Sequence, residues 1–170
     1  MNLSALVAGL AHPLMGADHI LAMIAIGLWA VIAGGRALWA WPAAFVAMVL
    51  IGFVAALLGW HVPLVEPAIA ASIIVLGLFI VLAVKAPLWL GAVIAGLFAF
   101  FHGHAHGIEV ATAGAGLLAY ATGFSLTTAA LHGLGLGIGI LLARSAGEPL
   151  LRATGGLVAV GGLALIAGVG

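Results

Sequence analysis

The scarcity of charged side chains is the feature of this sequence that most limits how the chain can fold. Only 5% of its 170 residues are Asp, Glu, Lys or Arg, whereas a soluble domain carries about 25%. None of these residue types occurs between positions 37 and 65 or between 110 and 143. So few charges could not cover the surface of a soluble globule of this size. The sequence therefore predicts an integral membrane protein, whose apolar surface faces lipid.

Charged residues, prolines and clustered glycines divide the sequence into six apolar segments. A helix needs about 20 apolar residues to cross a bilayer. The segments cover roughly residues 4–33, 37–59, 65–84, 87–107, 111–143 and 149–168. Because no polar linker interrupts the pattern, residues 1–170 are expected to form a single transmembrane domain. We predict an all-α integral membrane protein in which six transmembrane helices pack as one bundle.

The basic residues predict the orientation of this bundle. With six spans, the loops on one side of the membrane hold every Lys and Arg of the chain, which are Arg36, Lys85, Arg144 and Arg152. The loops at 60–66 and 102–110, on the other side, hold none. Because Lys and Arg accumulate in cytoplasmic loops, we expect the basic loops inside the cell and both termini outside.

Ionisable side chains interrupt the apolar segments at a few positions. The stretch HPLMGADHILAM at 12–23 holds His12, Asp18 and His19. The stretch FHGHAHGIE at 101–109 holds His102, His104, His106 and Glu109, and the fifth segment holds His132. Charge inside a membrane is costly, so ionisable residues there are functional candidates. His61 and Glu66 fall in an outer loop, where solvated side chains are expected.

Rise along the helices brings three of these side chains to similar depths. At about 1.5 Å per residue, Asp18 and His102 lie some 22 Å from the cytoplasmic ends of their helices. By the same rise, His132 lies about 18 Å from the cytoplasmic end of its helix, which is roughly one turn deeper in the membrane than Asp18 and His102. We therefore expect His132 to orient a ligating ring or to line an inner path, rather than to be a primary ligand.

Helical phase groups the remaining candidates. His12 and His19 share a helix face, and His102 and His106 share one if their helix continues that far, while His104 points away. His104 is left open between a spare ligand and an exposed loop residue. Pro13 suits a first helical turn, which would place His12 in a loop folded over the site. We expect Asp18, His19 and His102 together in the outer half of the bundle, with His12, His106 and Glu109 nearer its mouth.

This set of side chains indicates a divalent metal ion. Several imidazoles with one or two carboxylates and no cysteine suit Ni, Co, Zn or Cu(II), whereas Mg and Ca prefer oxygen ligands alone. Three other functions remain open. They are a zinc hydrolase with Glu109 or Asp18 as general acid or base, a haem protein with His19 and His102 as axial ligands, and a purely structural subunit. Equal numbers of acidic and basic residues argue against a nucleic-acid partner.

Three stretches of the sequence resemble the signature motifs of a known family. HPLMGADHILAMIAIGLWA at 12–30, FHGHAHGIE at 101–109 and YATGFSLTTAALHGLG at 120–135 look like those of the HupE/UreJ family of nickel/cobalt permeases. The resemblance implies a permease rather than an enzyme, located in the bacterial inner membrane, with Ni²⁺ or Co²⁺ as transported ion and no prosthetic group. The expected partners are the ion and the lipid bilayer, and a homo-oligomer stays open. The family's functional residues would fall on His12, Asp18, His19, His102, His106, Glu109 and His132.

Overall fold

The computed structural model describes residues 2–111, 116–145 and 147–168 of the chain, and its secondary structure there is helical. Its α-helices are α1 (Leu3–Ala11), α2 (Ala17–Ala33), α3 (Ala37–Leu57), α4 (Val65–Val81), α5 (Leu88–Ala111), α6 (Leu117–Ser145) and α7 (Gly147–Ile166). A short 3₁₀ turn, His12–Leu14, separates α1 from α2. The all-α prediction is confirmed. The turn and α5 together hold most of the predicted site residues.

The helices include fewer clear membrane spans than the sequence predicts. Within the described ranges, α3, α5, α6 and α7 are each long and apolar enough to cross a bilayer. The α1–α2 pair passes the same test together but is bent by 75°, and α4 is a shorter apolar helix of 17 residues. The described residues thus contain four candidate spans, or five with the bent pair. This is the pattern of a multi-pass membrane protein.

The predicted segment 4–33 is not one straight helix, because its chain breaks between α1 and α2. Pro13 has no backbone N–H to continue a helical ladder, and it lies inside the 3₁₀ turn. Gly16 then adopts an extended conformation, with φ −107° and ψ 124°, immediately before α2 begins. His12 lies in this turn, between the two helices.

Glycines let the backbones of particular helices touch, since a Cβ atom at each would collide with the partner's backbone. These glycines are Gly9, Gly27, Gly123 and Gly135 between α6 and α1 or α2, Gly52, Gly103 and Gly107 between α3 and α5, and Gly77 and Gly155 between α4 and α7. Small residues allow this close packing of membrane helices. We call the resulting groups the α1/α2/α6 unit, the α3/α5 unit and the α4/α7 unit.

Hydrogen bonds between helix ends show which loops lie together. Trp29, near the end of α2, donates its indole N–H to the Val84 carbonyl oxygen at 2.9 Å. Arg152, near the start of α7, donates to the Val81 carbonyl oxygen at 2.6 Å. The segments that hold the four Lys and Arg residues therefore meet at one end of the bundle, which we call the basic end. The other half, where α2 begins and α5 ends, is the histidine end.

Candidate metal centre

Three elements bring six of the predicted site residues together at the histidine end. They are His12 from the 3₁₀ turn, Asp18 and His19 from the first turn of α2, and His102, His106 and Glu109 from the second half of α5. We call these six residues the histidine cluster. Because α5 continues as a helix to residue 111, His102 and His106 share one of its faces.

The centre of the histidine cluster is a contact between the rings of His19 and His106. Their Nε2 atoms lie 2.5 Å apart. The Nδ1 atom of His19 lies 2.7 Å from Asp18 Oδ1, and that of His106 lies 3.3 Å from Glu109 Oε2. Because a carboxylate accepts hydrogen bonds, each Nδ1 carries the ring proton and each Nε2 presents a lone pair. Two lone pairs repel at this separation, so a proton must lie between the two atoms, and a metal ion could bind both of them only if the rings moved apart.

Glu109 connects this contact to the turn between α1 and α2. Its Oε2 atom lies 3.2 Å from Nε2 of His12 as well as near His106. Ligand atoms of His12, His106 and Glu109 all lie within 4.8 Å of one another, which is close enough for one ion to reach all three. Glu109 also lies in the last turn of α5, where the helix dipole disfavours a negative charge. A nearby cation would offset that cost.

Ser72 of α4 fixes the ring of His102. The Ser72 hydroxyl donates its one proton to the Ile69 carbonyl oxygen at 2.6 Å, so it accepts from His102 Nε2, which lies 3.2 Å away. His102 therefore keeps a lone pair on Nδ1, and this atom has no hydrogen-bond partner among the described residues. The His102 ring is fully buried, with its centroid 5.2 Å from that of His19.

Aromatic rings close the histidine cluster on the side of α6. The Phe124 ring lies 4.5 Å from the ring of His106, and the Tyr120 ring lies 5.9 Å from that of His12. Such an apolar wall keeps the local dielectric low and strengthens the interaction of an ion with its ligands.

A cavity of about 430 Å³ borders the cluster on the side of α4. It is lined by Asp18, Glu66, Pro67, Ile69, Ala70, Leu165 and Ile166. Glu66 is exposed, as predicted, but it lies in the first turn of α4 and not in the predicted loop, and it lines the same cavity as Asp18. Two carboxylates on one cavity attract cations towards the cluster.

Three other histidines lie outside the cluster. His61 is exposed in the segment between α3 and α4. His104 is buried, and its Nε2 donates to the Trp60 carbonyl oxygen at 2.8 Å, so it pins the end of α3. The exposed loop position considered for His104 is therefore wrong. His132 is buried on α6 with its ring 4.9 Å from that of Phe45, and neither of its nitrogens has a hydrogen-bond partner among the described residues.

The geometry of His132 bears on the two roles predicted for it. A residue that orients a ligating ring must hydrogen-bond to that ring, and His132 makes no such bond within the described ranges. Phe45 instead contacts both the His132 ring and, at 5.8 Å, the His102 ring. This placement argues against the orienting role, and it leaves a position along an inner path or a packing role against Phe45.

Sequence reasoning missed Ser72 and the aromatic wall. Ser72 is the one hydroxyl of α4, but a single serine in an apolar helix is common and carries no signal of its own. The partners of Phe124 and Tyr120 depend on how α5 packs near α6, which periodicity within one helix does not reveal.

Comparison with known proteins identifies the family. The HupE / UreJ protein family profile matches residues 1–165. The chain belongs to the HupE/UreJ family. It is similar to Protein HupE of Rhizobium leguminosarum bv. viciae, with 43% identity over 162 residues, which is 95% of this chain and 84% of that relative. No solved structure gives a significant match.

Family membership confirms the resemblance carried by the three sequence stretches. The family is one of nickel/cobalt permeases, so its members are membrane transporters and not enzymes. The hydrolase considered for Asp18 and Glu109 is thereby set aside.

Proposed function

We propose that this chain is an inner-membrane permease for the uptake of Ni²⁺ or Co²⁺, and that the histidine cluster binds the ion during its passage. The observation that carries the proposal is the pair of Nε2 atoms of His19 and His106, which converge while a carboxylate holds each Nδ1. This arrangement prepares two neutral imidazoles for a cation.

The composition of the cluster supports transition-metal selectivity. Imidazole nitrogens suit Ni²⁺ and Co²⁺ better than they suit Mg²⁺. Asp18 and Glu109 offset the charge of the ion in a region where water is scarce. The same groups would replace part of the water shell that the ion loses.

Two overlapping sets of ligands support passage rather than permanent binding. The deeper set is Asp18, His19 and His102, and the set nearer the mouth is His12, His106 and Glu109. The His19–His106 contact joins the two sets. A transported ion must bind well enough to shed water and weakly enough to leave. Ligands spread over two adjoining sets suit that compromise better than a closed cage.

The proposed topology keeps six membrane crossings. The bent α1–α2 pair forms one crossing, and α4, with 17 residues, lies at the short limit of about 17 residues for a spanning helix. The basic end then faces the cytoplasm, and both termini lie outside. The histidine end faces the side from which the ion arrives.

A haem group suits the cluster poorly. The rings of His19 and His102 pack edge to face with centroids 5.2 Å apart, which leaves no slot for a porphyrin between them.

Metal uptake by proteoliposomes tests the proposed function. The full chain is reconstituted and supplied in parallel with Ni²⁺, Co²⁺, Zn²⁺ and Mg²⁺. We expect Ni²⁺ or Co²⁺ to accumulate and Mg²⁺ to be excluded. His106→Ala should abolish accumulation, whereas His61→Ala, which removes an exposed histidine outside the cluster, should not. Absence of flux for every metal with the wild type would overturn the proposal.

A further inference from the structure

A line of buried polar groups on α6 has no partner that the described residues provide. The hydroxyl oxygens of Ser125 and Thr128 and both ring nitrogens of His132 are buried without a hydrogen bond. These positions are three and four residues apart, so the side chains lie along one helix face. From Ser125 to His132 the line covers about 10 Å of the helix axis.

The other Ser and Thr hydroxyls of the described residues make this line unusual, although the Tyr120 hydroxyl of the same helix is also buried without a hydrogen bond. Within the described ranges, every other Ser and Thr hydroxyl donates a hydrogen bond, and Ser72, Thr122, Ser145 and Thr154 each donate to a carbonyl oxygen three or four residues earlier in the same helix. Thr127 donates to the Leu10 carbonyl oxygen, and Ser4 to Asn2. Ser125 and Thr128 form neither kind of bond. Buried polar groups seldom lack a hydrogen bond, because nothing then offsets the free energy lost when they leave water.

The line begins where the histidine cluster ends. Phe124, which precedes Ser125, contacts the ring of His106. His132 lies twelve residues before Arg144, or about 18 Å from the basic end of α6. The unpartnered groups thus lead from the cluster towards the middle of the membrane, where no lipid group can satisfy them.

We propose that Ser125, Thr128 and His132 form an inner station, which a partly hydrated divalent cation occupies after it leaves the histidine cluster. This inference rests on the proposed function. Because the line is about 10 Å long, the cation meets its members in turn, and each hydroxyl oxygen or imidazole gives it a lone pair as it passes. Because none of the three is a carboxylate, the station binds weakly, and water keeps the remaining coordination positions. Weak binding favours onward release.

Two substitutions of Thr128 distinguish this role from simple packing. Thr128→Val keeps the shape of the side chain and removes the hydroxyl, whereas Thr128→Ser keeps the hydroxyl and removes a methyl group. If Thr128 only fills space, Val should be the better replacement, because Ser leaves a small cavity. If the hydroxyl binds the passing ion, Ser should be the better one.

The experiment measures Ni²⁺ uptake by proteoliposomes and equilibrium Ni²⁺ binding to the purified chain. We expect Thr128→Val and His132→Ala to lower the maximal uptake rate about tenfold or more, the scale on which loss of a metal-site partner acts. The Ni²⁺ uptake rate of Thr128→Ser should be several times that of Thr128→Val. Tight binding of Ni²⁺ should persist in all three variants, because the histidine cluster is intact. Thr122→Val, which removes an exposed hydroxyl of the same helix, is the control.

The outcomes separate the inner station from the permease function. The inner station alone is overturned if Thr128→Val takes up Ni²⁺ as fast as the wild type. It is also overturned if Thr128→Ser takes up Ni²⁺ more slowly than Thr128→Val. Loss of tight Ni²⁺ binding in Thr128→Val also overturns it, since the residue would then act on the cluster. Absence of Ni²⁺ flux in the wild type overturns the proposed function and the station with it.

Discussion

Replacement of Ser72 by alanine tests the ligand role of His102 without touching a candidate ligand. In the wild type, the Ser72 oxygen accepts a hydrogen bond from the Nε2–H group of His102, which keeps the ring proton on Nε2 and leaves a lone pair on Nδ1. In Ser72→Ala the imidazole N–H loses its partner in a fully buried position. An unsatisfied buried donor costs about 1–3 kcal/mol. The ring can avoid this cost by moving the proton to Nδ1, but the atom that would bind the ion is then blocked.

Either response of the ring weakens metal binding. Loss of a residue that orients a metal-binding histidine typically lowers affinity about 10–100-fold, which corresponds to about 1.4–2.8 kcal/mol. We therefore expect Ser72→Ala to weaken Ni²⁺ binding by this factor. Ser72→Thr retains the hydroxyl and should restore most of the affinity.

Calorimetric titration of the purified chain with Ni²⁺ measures this effect, with thermal unfolding recorded on the same samples. Ser145→Ala is the control, because it also removes a hydroxyl hydrogen bond to a carbonyl of its own helix, at an exposed position at the basic end. Equal Ni²⁺ affinity in Ser72→Ala and wild type would refute the reasoning. So would an equal loss of affinity in Ser145→Ala.

Three further predictions concern charge, anchoring and helix packing. Asp18→Asn keeps the shape of the side chain but removes its charge, so we expect Ni²⁺ uptake to fall about tenfold or more while the thermal unfolding temperature changes little. Uptake equal to that of the wild type at matched protein levels would contradict this. His104→Leu removes the bond that pins the end of α3 and should lower the free energy of unfolding by about 1 kcal/mol, with Ni²⁺ affinity retained in titrations. Gly135→Ala should destabilise the chain by about 1–3 kcal/mol, because the new Cβ collides with the backbone of Ile24. Gly133→Ala meets open space and should be neutral or slightly stabilising in the same thermal assay.

The sequence predicted most of the helical segments because their signal is local. Long apolar stretches bounded by charge, proline or glycine gave the positions of α3, α4, α5 and α7 to within a few residues, and they gave the end of α6 but placed its start six residues too early. Pro13 indicated an interruption at His12, but the extended conformation of Gly16 was not predicted. An apolar stretch has the same composition whether its backbone is straight or bent, so composition does not reveal the bend. In the structure, Gly16 adopts an extended conformation and α2 begins directly after it.

The candidate site was predictable in its membership but not in its hydrogen bonds. Ionisable residues stand out against an apolar background, so His19 and His106 could be selected from composition and helical phase alone. Their direct contact depends on how α2 packs near α5, which involves residues distant in sequence. The protonation pattern of each ring depends on partners such as Ser72, whose place beside His102 only the tertiary structure gives.

The glycine contacts between helices have a mechanical consequence for the histidine cluster. His19 belongs to the α1/α2/α6 unit and His106 to the α3/α5 unit, and backbone contact makes each unit resist deformation from within. Relative movement of the two units would separate their Nε2 atoms. Under the proposed function, an ion held by both rings would act as a reversible cross-link between the two units. Its binding free energy also holds the bundle together, by about 2.7 kcal/mol when the free ion stands at a hundred times its Kd. Release of the ion would remove that restraint, so ion occupancy of the cluster and relative movement of the two units would be thermodynamically linked.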